Sequence, residues 1–241
     1  MYSTARTQYR LLEIEEQARS VQVEIYSRRS ALWEGNTPSL IDMFEPGVAL
    51  RHLGYAVESV STIGEFEING IRHGVAGMID HEHKRVTISE NFLNPVKRFT
   101  AAHELGHAVL HPDGKTMHRD LPLERAGVVR DWREVEANRF ASAYLMPVNL
   151  VKQQFSECFR LDAFELTDAT AFALCGANAD KVQKRYRCTR QLSQCIAGSS
   201  QFNGHYFRPL SEQFKVSQLA MAIRLDELGL VRPLADSASR R

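Results

Sequence analysis

Residues 98–111 read Arg-Phe-Thr-Ala-Ala-His-Glu-Leu-Gly-His-Ala-Val-Leu-His, and within them His103-Glu104-Leu105-Gly106-His107 carries the spacing H-E-x-x-H. Residues four apart on a helix stand one turn apart on the same face. Both imidazoles can therefore meet one metal ion, with Glu104 beside the open coordination position. In a chain with nine His and 19 Glu, random order would produce this pattern about 0.03 times. Phe99, Ala102, Leu105, Val109 and Leu110 supply an apolar face, so residues 96–111 read as a partly buried helix. Gly106 costs such a helix about 1 kcal/mol relative to Ala, and it would admit the close approach of another backbone.

A catalytic zinc site needs a third protein ligand and keeps one position open. His111 lies about 12 Å beyond His103 along a continuous helix and can join only where Pro112 breaks it. Asp113 and His118 follow in a loop. Residues 131–146 return to helical period and are closed by Pro147, which cannot continue the ladder. Inside them, Glu134-Val135-Glu136-Ala137-Asn138 places Glu134 and Asn138 on one face and turns Glu136 elsewhere. Glu134 can then ligate while Asn138 accepts a ring N–H from a liganding histidine, a contact that sets ring orientation. Glu134 is the preferred ligand, with Glu136, His111 and the loop residues as alternatives.

Upstream, Leu11, Leu12, Ile14, Ala18, Val21, Val23 and Ile25 recur at helical spacing within 5–30, an amphipathic helix. Gly35 to Ser39 forms a loop signal, Ser39 can cap a second helix, and Pro46-Gly47 divides it. Residues 55–89 then hold short β-branched runs separated by turn residues, with Asn69-Gly70 as a two-residue turn. They predict a small, mainly antiparallel sheet. The strand at 74–80 precedes the metal-binding helix and is a candidate edge for an extended substrate. Downstream, 148–176 are helical in part, 180–208 have no clean period, and 209–231 resume strong helical spacing. The fold class is α+β. A catalytic domain over 1–150 contains the N-terminal helices, and a helical extension over 151–241 carries a helix-turn-helix-like pair at 209–231.

The chain has 241 residues, 30 Lys+Arg against 29 Asp+Glu, 44% apolar residues and four cysteines. This is ordinary globular composition. Near-neutral charge removes a global electrostatic case for nucleic-acid or membrane-surface binding. No apolar run reaches the roughly 20 residues of a bilayer span, and no secretory signal opens the chain. The expected location is cytoplasmic. The cysteines form no CxxC pair, so neither a zinc finger nor a disulfide framework is expected.

The two motifs together, RFTAAHELGHAVLH and EVEANRFASAYLMP, resemble the ImmA/IrrE-type metallo-endopeptidases, a gluzincin-like family of bacterial and phage proteins. The resemblance covers about residues 40–150, and VSQLAMAIRLDELGLV at 216–231 is similar to a C-terminal stretch of the family. Tyr144 stands where the family usually has Leu, and 151–208 look longer than usual. The resemblance implies a zincin-like catalytic domain and one zinc ion per chain, held by His103, His107 and Glu134. It also implies Glu104 as the catalytic carboxylate. Oxyanion donors would come from among Tyr144, His118, His111 and Arg98. Family members cut a helix-turn-helix transcriptional repressor, relieving repression of a mobile element or a stress response. The implied partner is therefore such a repressor, encoded nearby.

A different class of reading is a DNA-binding or partner-binding regulatory component, of toxin–antitoxin or phage type, in which the peptidase fold cuts little. The pair at 209–231 has the order of a helix-turn-helix. It carries only Lys215 and Arg224 against Glu212, Asp226 and Glu227, a poor balance for a recognition helix. Direct nucleic-acid binding is not expected. Lys181, Lys184, Arg185, Arg187 and Arg190 around Tyr186 form a local basic cluster, read as a solvated helix face.

Overall fold

A computed structural model describes residues 2–68, 70–112, 118–120, 132–176, 186 and 188–232. Two compact units divide the chain, Met1–Leu145 and Met146–Arg241.

The first unit opens with α1 (Tyr2–Ser27), followed by α2 (Arg29–Leu32). Of the apolar residues that suggested α1, only Ile14, Ala18 and Ile25 are buried, whereas Leu12 and Val23 face solvent. The buried stripe is completed by a polar residue, Gln22. Its amide donates to the carbonyls of Ala143 and Tyr144 at 3.1 and 2.9 Å. These lie in the last turn of a later helix, where carbonyls lack intrahelical partners. Ser39 caps α3 (Leu40–Met43) by accepting from the Asp42 N–H, and Pro46 opens α4 (Pro46–His52) at the position where its missing N–H costs nothing.

Five strands follow in the predicted region: β1 (Ala56–Val60), β2 (Glu65–Ile68), β3 (Ile71–Gly74), β4 (Gly77–Asp80) and β5 (Arg85–Ser89). β2 and β3 form an antiparallel hairpin of their own; Asn69 of its turn lies outside the described residues. The other strands join β6 (His118–Asp120) in a four-stranded sheet ordered β1-β5-β4-β6. β4 is antiparallel to both neighbours, but β1 and β5 are parallel. The sheet is thus mixed, because the chain between β1 and β5 returns to its starting side through the hairpin and β4. β4 pairs with β5 and also with β6, so the candidate substrate edge at 74–80 is an interior strand. Its place as edge is taken by β6, too short and charged to announce itself.

Against this sheet lies α5 (Asn94–Leu110), and α6 (Trp132–Leu145) packs along α5 and α1. At Gly106 the backbone of α6 approaches α5 closely. A methyl there would lie 3.0 Å from Ala137 Cα and 3.1 Å from its carbonyl oxygen.

The second unit contains α7 (Val148–Phe159), α8 (Asp168–Cys175), α9 (Thr189–Gly198), a short hairpin of β7 (Gln201–Phe202) and β8 (His205–Tyr206), α10 (Leu210–Gln213) and α11 (Gln218–Glu227). Phe155, Phe159, Phe164, Phe202 and Phe214 fill its core. Thr167 and Thr170 cap α8 reciprocally. α9 occupies part of the stretch that showed no period, since its buried side mixes Leu192 and Ile196 with Ser193 and Ala197. Of the helix-turn-helix-like pair, α10 is a single turn. Arg224 of α11 is fully buried, its Nε donating to the Met146 carbonyl at 3.0 Å. Of the basic cluster, Lys181, Lys184, Arg185 and Arg187 lie outside the described residues. Arg190 forms an ion pair with Asp226 at 3.2 Å. Among the described residues, no helix is long and apolar enough to cross a membrane.

Candidate metal centre

His103, Glu104 and His107 stand on α5 in its buried half, all three sealed from solvent. The helical spacing brings the two Nε2 atoms within 3.0 Å of each other. α6 brings Glu134 over them from the other side, with Oε2 3.1 Å from His103 Nε2 and Oε1 3.4 Å from His107 Nε2. Among the described residues, this group alone gathers three possible ligand atoms within 4.8 Å of one another.

The donor set suits a zinc ion. Bonds of about 2.0–2.1 Å to nitrogen and oxygen, arranged tetrahedrally, place neighbouring ligand atoms roughly 3.3 Å apart. The separations of 3.0, 3.1 and 3.4 Å are of that size, the last two reaching different oxygens of the Glu134 carboxylate. Two imidazoles and one carboxylate are also the ligand types that zinc takes in hydrolytic sites.

The outward ring nitrogens are held as well. His103 Nδ1 meets Asn138 Oδ1 at 3.1 Å, so the ring N–H donates to the amide oxygen and leaves the Nε2 lone pair pointing inward. His107 Nδ1 lies 3.2 Å from His111 Nδ1, and His111 Nε2 lies 2.9 Å from Glu136 Oε2. Glu136 also pairs with Arg10 of α1. The two alternative third ligands, His111 and Glu136, are therefore bonded to each other. Pro112 does end α5 where expected, but His111, at φ −131° and ψ 48°, leaves the helix on the side of Glu136. Asp113 lies outside the described residues.

Glu104 points at the sheet. A methyl on Gly77 of β4 would collide with Thr100 Cγ2 and stand 2.9 Å from Glu104 Oε1. Glycine at 77 leaves the space that the Thr100 methyl and the Glu104 carboxylate occupy.

Of the candidate oxyanion donors, Arg98 is committed elsewhere. Its guanidinium donates to the Ile41 and Phe44 carbonyls at 2.7 and 3.2 Å and lies 3.3 Å from Glu45. Burial lowers its pKa, an effect opposed by Glu45 and Asp42. Tyr144 is fully buried between Phe44 and Phe140, and burial pushes its phenol well above the ordinary range. His111 is engaged by His107 and Glu136. A donor must reach the place where charge develops; Arg98, Tyr144 and His111 are all buried. His118 lies on β6, and its side chain is outside the described residues.

Residues that the sequence reading missed are Arg10 and Trp132. The Arg10 guanidinium lies 4.8 Å from the centre of the Trp132 ring, whose edge meets His111 at 5.4 Å. Arg10 lies on a different helix, and no local pattern links it to the site.

Two comparisons with known proteins bear on this arrangement. Over 94 residues, the chain is 36% identical to "Uncharacterized immunity region protein 2" of Bacillus phage phi105. That alignment covers 38% of this chain and 58% of the phage protein, so the chain spans rather more than half of its relative's length. The sequence profile of Peptidase M78, the IrrE N-terminal-like domain, matches residues 71–226, well over half of the chain. The match starts later than residue 40 and runs far beyond 150, taking in all of 151–208, the stretch that looks longer than usual. The chain belongs to the Peptidase M78 family, and the matched residues include α5 and α6.

Proposed function

We propose that the protein is a zinc-dependent endopeptidase that cuts one peptide bond in a specific protein, a helix-turn-helix repressor encoded near its own gene. The observation that carries this reading is the triangle of His103 Nε2, His107 Nε2 and a Glu134 carboxylate oxygen, with Glu104 on the same helix as the two histidines. A divalent ion held by His103, His107 and Glu134 would supply Lewis acidity and lower the pKa of water towards neutrality. Glu104 accepts the proton of the water that attacks the scissile carbonyl and returns it to the departing amine. Asn138 keeps the His103 ring turned inward during the cycle. The same pairing of an H-E-x-x-H helix with a carboxylate from the next helix supports a zincin-like reading of the domain.

The choice of a repressor as substrate rests on family membership and on a relative named for a phage immunity region. The DNA-binding alternative finds less support, because Arg224, one of two cations in residues 209–231, is buried and bonded to backbone. The test is co-expression with the neighbouring repressor, comparing wild type with Glu104→Gln and mapping the cut by mass spectrometry. The wild type should cleave at one bond, and the variant should lose at least about 10²-fold in rate. Equal cleavage by the variant removes Glu104 from the mechanism.

A further inference from the structure

The two liganding imidazoles are held from behind in different ways. His103 donates to a side-chain amide, whereas His107 leads into a row of side chains that ends on another helix. A neutral imidazole that turns its Nε2 lone pair to a metal carries its proton on Nδ1. A buried N–H of this kind needs an acceptor, since leaving it without one costs about 1–3 kcal/mol. For His107 the facing atom is His111 Nδ1 at 3.2 Å. His111 can accept there only if its own proton sits on Nε2, and that nitrogen faces Glu136 Oε2 at 2.9 Å. The other Glu136 oxygen meets Arg10. Each contact thus dictates the proton position of the next, from a half-exposed guanidinium to the metal-facing nitrogen. Trp132 lies along the row, with Arg10 over its ring and His111 at its edge.

We propose that His111, anchored by Glu136 and Arg10, is the positioning residue that fixes the ring and tautomer of His107 for the metal, so that α1 takes part in the metal centre. This rests on the reading of His103, His107 and Glu134 as metal ligands. His111 touches neither metal nor substrate in this role. It acts through His107.

The test measures zinc affinity of the full chain by competition with a chromophoric chelator, and the visible spectrum of the cobalt(II)-loaded protein. Glu136→Gln keeps an acceptor oxygen for His111 but gives up the charge that Arg10 meets, and should weaken zinc only severalfold, as Arg10→Ala does. Glu136→Leu has similar bulk without the acceptor, and His111→Phe keeps a ring without nitrogens. Both should weaken zinc by tenfold or more and shift the cobalt bands. If either core variant fails to fold, Arg10→Ala, at a half-exposed position, decides the matter through a severalfold loss of affinity. Wild-type affinity and spectrum in His111→Phe, Glu136→Leu and Arg10→Ala would overturn the proposal, as would equal losses in the Gln and Leu variants, the mark of packing alone. A wild type that takes up no stoichiometric zinc overturns this proposal together with the reading beneath it. Zinc binding that responds as described, in a protein that cuts no repressor, overturns the peptidase reading and leaves the positioning role standing.

Discussion

Two glycines set the spacing of the site. At Gly106 a methyl would press on Ala137 backbone atoms at 3.0–3.1 Å, and backbone yields less readily than a flexible side chain. Overpacking of this kind costs on the order of 1–3 kcal/mol, against a gain of about 1 kcal/mol in helix propensity. Gly106→Ala should therefore lower the thermal midpoint, read by circular dichroism, although Ala is the better helix former. At Gly77 the added methyl meets Thr100 and the Glu104 carboxylate. Gly77→Ala should slow repressor cleavage at least tenfold while leaving zinc affinity within twofold, because the displaced group is the proposed proton carrier and no proposed ligand. Unchanged cleavage by this variant would mean that Glu104 has room to act without glycine at 77.

At the scale of the element, α1 is held to α6 by a polar contact. Replacing Gln22 by Leu keeps bulk but leaves the Ala143 and Tyr144 carbonyls without their donor. The expected loss is about 1–3 kcal/mol in urea denaturation, larger than for Leu12→Ala on the exposed side of the same helix. The turn between β4 and β5 carries a pH dependence. The His83 backbone N–H, donated to Asp80 Oδ1 at 3.0 Å, and then the His83 ring hold the Asp80 carboxyl below the usual carboxylate range. A carboxyl depressed in the folded state stabilises above its unfolded pKa, and that contribution disappears as pH falls through the folded value. Asp80→Asn should thus flatten the acid side of the stability curve below roughly pH 4, measured as the urea midpoint against pH.

These elements also separate what was legible from what was not. The i, i+4 geometry of His103 and His107, and of Glu134 and Asn138, could be read directly because it is local to a helix. The bond between His111 and Glu136 could not, since it depends on how α5 ends. Nor could the burial of Gln22 in place of Val23, which α6 decides, or β6, three residues whose pairing is with the distant β4.

For the molecule as a whole, zinc should behave as a stabilising ligand of the folded chain alone. At about 100 times its dissociation constant it adds about 2.7 kcal/mol, so a chelator should lower the thermal midpoint. Zinc-dependent protection from hydrogen exchange should concentrate in α5 and α6. A uniform response, or none, would contradict a centre built from those two helices. The division of ligands between the helices has one more consequence. The ion would join His107 to Glu134 across roughly 27 residues of chain, as a disulfide joins two cysteines. In the chain-entropy account, a chain that opened with such a clasp still closed would forgo on the order of 3–4 kcal/mol of loop freedom, so opening with the ion in place is disfavoured. Metal release then becomes a pacing step of unfolding, and the lifetime of the protein against cellular proteases would follow the supply of zinc.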